Sequence, residues 1–139
     1  MRHFFIDTNV LLDFLAQREP FTAVATQLFE SVGYGRATLY ASGLSFSHID
    51  YVLRKALLPA ERLAKLTQLS SLVEIISIGR PVIEATLLLG FADFEDGLQY
   101  CAARTVPAIE AIVTRDPKGF AAGALPVLTP PEALARLGE

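Results

Sequence analysis

Four aspartates stand where carboxylates can do chemistry. Asp7 closes an apolar run, Phe4-Phe5-Ile6, and is followed by Thr8, Asn9 and a second apolar stretch. Asp93 and Asp96 frame the segment DFED, and Asp116 follows Ile112-Val113 within TRDPKGF. A carboxylate at the carboxyl end of a buried strand points into the crevice where open α/β sheets bind ligands, and Asp7 and Asp116 share that placement. Like charges about 4 Å apart repel by on the order of 4 kcal/mol at a near-surface dielectric. A fold that gathers such groups needs a cation among them, and hard divalent ions such as Mg²⁺ or Mn²⁺ prefer carboxylate oxygen. Zinc does not fit, because two histidines far apart and a single cysteine offer no zinc ligand set.

Each acid also has a plainer explanation. Asp7 before an apolar helical run is a standard N-cap. Asp93 can cap the next helix, with Glu95 and Asp96 in its first turn complementing the dipole, although three acids in four residues exceed what capping requires. Asp116 before Pro117 can be a simple Asp-Pro turn. A haloacid-dehalogenase-type phosphatase would need a second aspartate two positions after Asp7 as general acid, and that position is Asn9.

The elements that must carry these groups follow from apolar spacing. Residues 2–6 read as a strand and 9–16 as a short helix. Pro20 opens a second helix with Phe21, Val24, Ala25, Leu28 and Val32 at helical spacing, stopped by Gly33 and Gly35. Thr38–Ala41 reads as a strand. Ile49, Val52, Leu53, Ala56 and Leu57 mark a third helix, and Pro59 starts a fourth with Leu63 and Leu66 facing inward. Leu72–Ile76 is β-branched and strand-like, 80–89 and 94–105 read as helices, Ala108–Val113 and Val127-Leu128 as strands. Thr129-Pro130-Pro131-Glu132 supplies a cap, an early proline and a capping-box glutamate for a last helix. Strands alternating with helices predict an α/β fold with a parallel sheet covered on both faces.

The segments FFIDTNVLLDF, DFEDGLQYCAA and TRDPKGF, in this order, resemble the PIN domain, the metal-dependent ribonuclease fold of VapC-type toxins, over nearly the whole chain. The resemblance implies a single PIN-like domain over residues 1–139, a three-layer α/β/α sandwich around a parallel sheet of four or five strands. It also implies an endoribonuclease using Mg²⁺ or Mn²⁺, with an RNA substrate, an antitoxin protein as partner and a homodimer. Carried over residue by residue, Asp7, Asp96 and Asp116 would be catalytic metal ligands, Asp93 would support them, and Asn9 and Thr114 would orient them. Phosphodiester hydrolysis needs an activated water and relief of charge on the phosphate, which divalent ions provide. In one respect the chain departs from the pattern. The family usually places a glutamate in the third helix, and here SGLSFSHIDYVL puts His48 at that position. Asp50 lies two residues on, turned by about 200°, and cannot replace it without a register shift. His48 can bind metal, act in proton transfer or simply face solvent. The alternative function is therefore a catalytically degenerate PIN-like domain that binds RNA or protein.

Composition sets the remaining bounds. With 139 residues and 52% apolar content the chain can bury a proper core. The formal net charge of −3 argues against a simple nucleic-acid binder, but each divalent cation would add two positive charges where a phosphate docks. No apolar run approaches the roughly 18 residues of a membrane span, and the opening residues read as a strand rather than a signal peptide, so no membrane association and a cytoplasmic location are expected. Cys101 reads as a small buried hydrophobe and His3 as structural. Arg54, Lys55, Arg62 and Lys65 form either a solvated surface or a phosphate-contacting rim, and Arg115 and Lys118 could contact phosphate beside Asp116. Exposed apolar residues on the second to fourth helices could receive an antitoxin peptide or a second subunit.

Overall fold

Alternation along the first strand decides the layering. In β1 (Arg2–Ile6) the side chains of Phe4 and Ile6 enter one core and that of Phe5 enters another, as the two-residue period of a strand requires. All three are fully buried, each contributing about 1.5–3 kcal/mol by removal from water. The computed structural model describes residues 1–138, and Glu139 lies outside the described residues. The chain continues through α1 (Thr8–Leu15), α2 (Thr22–Gly33), β2 (Ala37–Ser42), α3 (Gly43–Leu53), α4 (Pro59–Leu72), β3 (Glu74–Ile76) and α5 (Arg80–Leu89). It closes with α6 (Phe94–Arg104), β4 (Ala111–Val113), a single 3-10 turn at Pro117–Phe120, β5 (Val127–Leu128) and α7 (Pro130–Leu137).

The five strands form one wholly parallel sheet in the order β3-β2-β1-β4-β5. Helices α1, α2, α3, α4 and α7 build the core on one face around Phe4, Ile6, Leu28, Leu39, Ile49 and Leu69. The other face packs on α5, α6 and the 3-10 turn through Phe5, Ile112, Leu98, Ala102 and Phe120. This is the expected three-layer sandwich, with five strands. The chain leaves β1 toward β2 on one side and leaves β4 toward β5 on the other. The carboxyl ends of β1 and β4 therefore flank the point where strand order reverses, the place where sheets of this class open a crevice.

Local chemistry explains where the elements start and stop. Asp7 caps α1 by accepting from the Thr8 N–H at 2.8 Å. Asp93 caps α6 by accepting from the Asp96 N–H at 3.0 Å. Thr129 and Glu132 form the capping box of α7. Gly90 ends α5 at φ 69°, a conformation glycine adopts without penalty.

Some expected boundaries move. Helix α3 stops at Leu53, so Ala56 and Leu57 belong to the connection, where both N–H groups bond back to the Leu53 carbonyl. Leu63 faces solvent at 64% exposure. The inward stripe of α4 is Leu66, Leu69 and Leu72, with Leu69 fully buried and the other two packed against the same core. β3 begins at Glu74, since α4 runs through Leu72. β4 begins at Ala111, since the Ile109 N–H still bonds to Val106 in the turn after α6.

Candidate metal centre

The turn out of β1 and the turn out of β4 meet through one hydroxyl. Thr114, fully buried, donates to Asp7 Oδ2 at 2.8 Å. The Thr114 hydroxyl oxygen in turn accepts from Asn9 Nδ2 at 3.3 Å and from the Asp116 backbone N–H at 3.1 Å. Asn9 in turn accepts from the Arg115 backbone N–H at 3.3 Å. Asp7 is thus held from both sides, by Thr8 and Thr114, while Asn9 and Thr114 shape the loop that carries Asp116.

Helix α6 brings its first turn to the same edge. Burial first, and then the charges of Asp93, Asp7, Glu95 and Asp116, together push the Asp96 carboxyl up to about 6. Burial likewise raises the Asp7 carboxyl above the ordinary carboxylate range, against the hydrogen bonds from Thr114 and Thr8 that lower it; Glu95 and Asp116 add to the rise. The acids picked from sequence therefore feel one another's charge, with no basic side chain among the causes. Gly119, in the 3-10 turn, lies against Asp96. A β-carbon there would stand 2.6 Å from Asp96 Oδ2, so any larger residue would push the Asp96 carboxylate aside.

His48 reaches α6, its Nδ1 lying 2.9 Å from Glu95 Oε1 in an exposed contact. Glu95, read from sequence only as a first-turn charge, is the acid that meets the helix position where a glutamate is otherwise found. Among the described residues, no three of His, Cys, Asp and Glu stand close enough to enclose a metal ion by themselves. The donor set is nonetheless all oxygen, anionic and uncompensated. It fits a hard divalent ion whose remaining positions are taken by water, and Asp7, Asp96 and Asp116 are the carboxylates that would hold it.

Basic residues that could have met phosphate are partly committed elsewhere. Arg115 grips the buried Asp13 through Nε at 2.6 Å and Nη2 at 3.2 Å, and its guanidinium lies 3.9 Å from the centre of the Phe21 ring. That pairing, and not phosphate, explains the arginine of TRD. Arg62 binds Asp50 at 2.9 Å and the Leu57 carbonyl at 2.8 Å, so it ties α4 to α3, and Arg54 shares Asp50 at 3.4 Å. Lys55 and Lys118 remain on the surface. His3 bonds the Tyr40 hydroxyl at 3.0 Å, and Cys101 is buried.

Sequence inspection passed over the layer beneath the acids. Gln99 is 1% exposed, and its amide joins Ser42, Ser45 and Thr8. The available signal was a polar residue three positions after Asp96, between the apolar Leu98 and Tyr100. Asp13, between Leu12 and Phe14, carried a similar signal.

Comparison with known proteins came out on one side. A family model described as PIN domain matches residues 3–118. Among solved structures, VapBC2 from Rickettsia felis bound to a promoter DNA fragment superposes with TM-score 0.67 at 17% identity, covering 91% of this chain and 98% of that one. A toxin–antitoxin complex from Klebsiella pneumoniae gives 0.66 at 22% identity, covering 91% and 96%. VapC20 of Mycobacterium tuberculosis, a sarcin-ricin loop cleaving toxin, gives 0.67 at 17% identity, covering 86% and 95%. At these identities the likeness is one of fold. The sequence matched no curated protein.

Proposed function

The chain belongs to the PIN-domain family, and we propose that it is a Mg²⁺- or Mn²⁺-dependent endoribonuclease, the toxin of a VapBC-type pair, working in the cytoplasm as one PIN-like unit over residues 1–139. The observation that carries this reading is the gathering of carboxylates without a counter-ion at the reversal point of the sheet: burial raises the Asp7 and Asp96 carboxyls, and the charge of Asp116 on both and of Asp7 on Asp96 adds to the rise. Uncompensated carboxylates at such a place are what a cation site requires.

Bound there, a divalent ion would neutralise charge on the scissile phosphate and activate a water. The chain's own residues supply the rest. Asp7, Asp96 and Asp116 would hold the ion. Thr114 fixes the Asp7 carboxylate, Asn9 fixes Thr114 and the following turn, and Asp93 holds the start of α6 in register through the Asp96 N–H. Lys118 and Lys55 are surface cations suited to RNA phosphates flanking the cut.

An antitoxin and a second copy of the chain are the proposed protein partners. Their support is the apolar surface of α5 and the start of α6, where Leu87 and Leu88 are 67% and 89% exposed and Ile83, Leu89 and Phe94 adjoin. No helix among the described residues is long and apolar enough to cross a membrane.

One observation favours a second reading, a PIN domain that binds without cutting: α3 offers His48 where a carboxylate would complete the acid set. Cleavage of RNA with and without Mn²⁺, by wild type and by Asp7→Asn, tests both. The nuclease reading expects Mn²⁺-dependent cutting that Asp7→Asn lowers at least a hundredfold. Equal cutting by both proteins, or RNA binding with none, would overturn it.

A further inference from the structure

We propose that Gln99 is a positioning residue that sets the separation of Asp7 and Asp96, and through it the affinity for a divalent cation. This rests on the metal-dependent reading above. Gln99 lies one helical turn after Asp96 on α6, close enough along the helix to share its face. Its amide is buried and used at both ends. Oε1 accepts from Ser42 Oγ at 2.7 Å, and Nε2 donates to Thr8 Oγ1 at 3.2 Å and to Ser45 Oγ at 3.1 Å. The two hydroxyls it reaches are themselves 2.7 Å apart.

The residues in this network are not incidental to the site. Thr8 is the residue whose backbone N–H holds Asp7 Oδ1 at 2.8 Å. Ser42 ends β2, and Ser45 stands in the first turn of α3, the helix of His48. One amide therefore links the strand-end loop carrying Asp7, the start of α3 and the helix carrying Asp96. Only an amide offers an acceptor to Ser42 and two donors to Thr8 and Ser45 at once. A hydrocarbon of the same size would take from the Ser42 hydroxyl its acceptor and leave Thr8 and Ser45 only each other, whereas at present every buried side-chain nitrogen and oxygen among the described residues has a partner. Asp7 and Asp96 repel, so in the absence of a cation something must hold them near each other, and a buried, fully used hydrogen-bond hub is suited to that. Partners behind metal ligands commonly alter metal affinity ten- to a hundredfold when removed.

The test compares Gln99→Met, which keeps the volume and removes the amide, with Thr8→Val, which removes one hydroxyl and keeps the N–H to Asp7. A distant core variant, Leu69→Val, controls for loss of stability. Mn²⁺ affinity is read by calorimetry on folded protein, with melts and far-ultraviolet circular dichroism to verify folding. The expected result is at least tenfold weaker Mn²⁺ binding for Gln99→Met, a smaller weakening for Thr8→Val, and wild-type affinity for Leu69→Val. Where Gln99→Met does not fold, Thr8→Val decides. Wild-type affinity in the folded network variants, or equal weakening in Leu69→Val, would overturn the role of Gln99 and leave the metal reading intact. Failure of the wild type to bind Mn²⁺ would overturn that reading, and this inference with it.

Discussion

Asp7 caps the start of α1 and Asp13 lies near its end, and the two meet burial in opposite ways. Asp13, 1% exposed, is met by a two-pronged guanidinium from Arg115, which is itself backed by the Phe21 ring. Asp7 has only a hydroxyl and a backbone N–H for donors and faces other acids, so its carboxyl is pushed up. The neighbouring residues of TRD divide the same way, Arg115 serving the compensated acid and Asp116 joining the uncompensated set. A buried carboxylate with its counter-ion is architecture. One left without a counter-ion at a sheet's reversal point marks where a cation is expected.

The sharpest way to break this contrast is to strip the compensated acid of its partner. Arg115→Ala leaves Asp13 buried and unpaired, and urea denaturation should show a loss of about 3 kcal/mol. A loss below about 1 kcal/mol would mean that Asp13 escapes to solvent and that the two acids are not so different.

The uncompensated side should respond in the opposite direction. Metal-free Asp96→Asn should be no less stable than wild type, and it should lose most of the rise in melting temperature that Mn²⁺ gives the wild type, a stabilisation of about 2.7 kcal/mol at a hundredfold excess over the dissociation constant. The pH dependence has a definite sign. The folded Asp96 carboxyl titrates at about 6, above its ordinary 3.8, so proton binding favours the folded state. That contribution is full below about pH 3.8 and is lost as pH rises through about 6. Asp7 shifts the same way. The stability advantage of Asp96→Asn should therefore be largest near pH 8 and shrink toward pH 5. Groups held low elsewhere, such as Asp50 through its hydrogen bond from Arg62, are common to both proteins and cancel. Melts of the two proteins across that range decide it; an advantage that grows as pH falls would refute the repulsion argument.

The smallest effect belongs to the rim. His48 and Glu95 are both exposed, and such pairs contribute at most about 1 kcal/mol. His48→Glu should cost no more than that without metal, while tightening Mn²⁺ binding by calorimetry, because a carboxylate is the better ligand for a hard ion. Weaker binding in this variant would show that the α3 corner does not reach the cation.

Element order, the parallel sheet and the acids at strand ends are legible in the chain itself. Apolar periodicity and capping chemistry act between residues a few positions apart, and Asp7, Asp93 and the Thr129–Glu132 box each announce a boundary locally. Boundaries set by distant packing are not legible in that way. Leu63 has the same apolar character as Leu66, and only what packs around α4 leaves one in solvent and the other half-buried. Pairings across more than about forty residues lie further still from sequence inspection. Arg115 could have met phosphate until the fold set Asp13 and Phe21 beside it, and Glu95 read as a dipole charge until α3 brought His48 to it. Gln99 is the clearest case, since its three partners come from β2, α1 and α3. Hydrogen bonds and ion pairs require ångström-scale placement of both partners. That placement is a property of how layers stack, which local spacing along one chain does not encode.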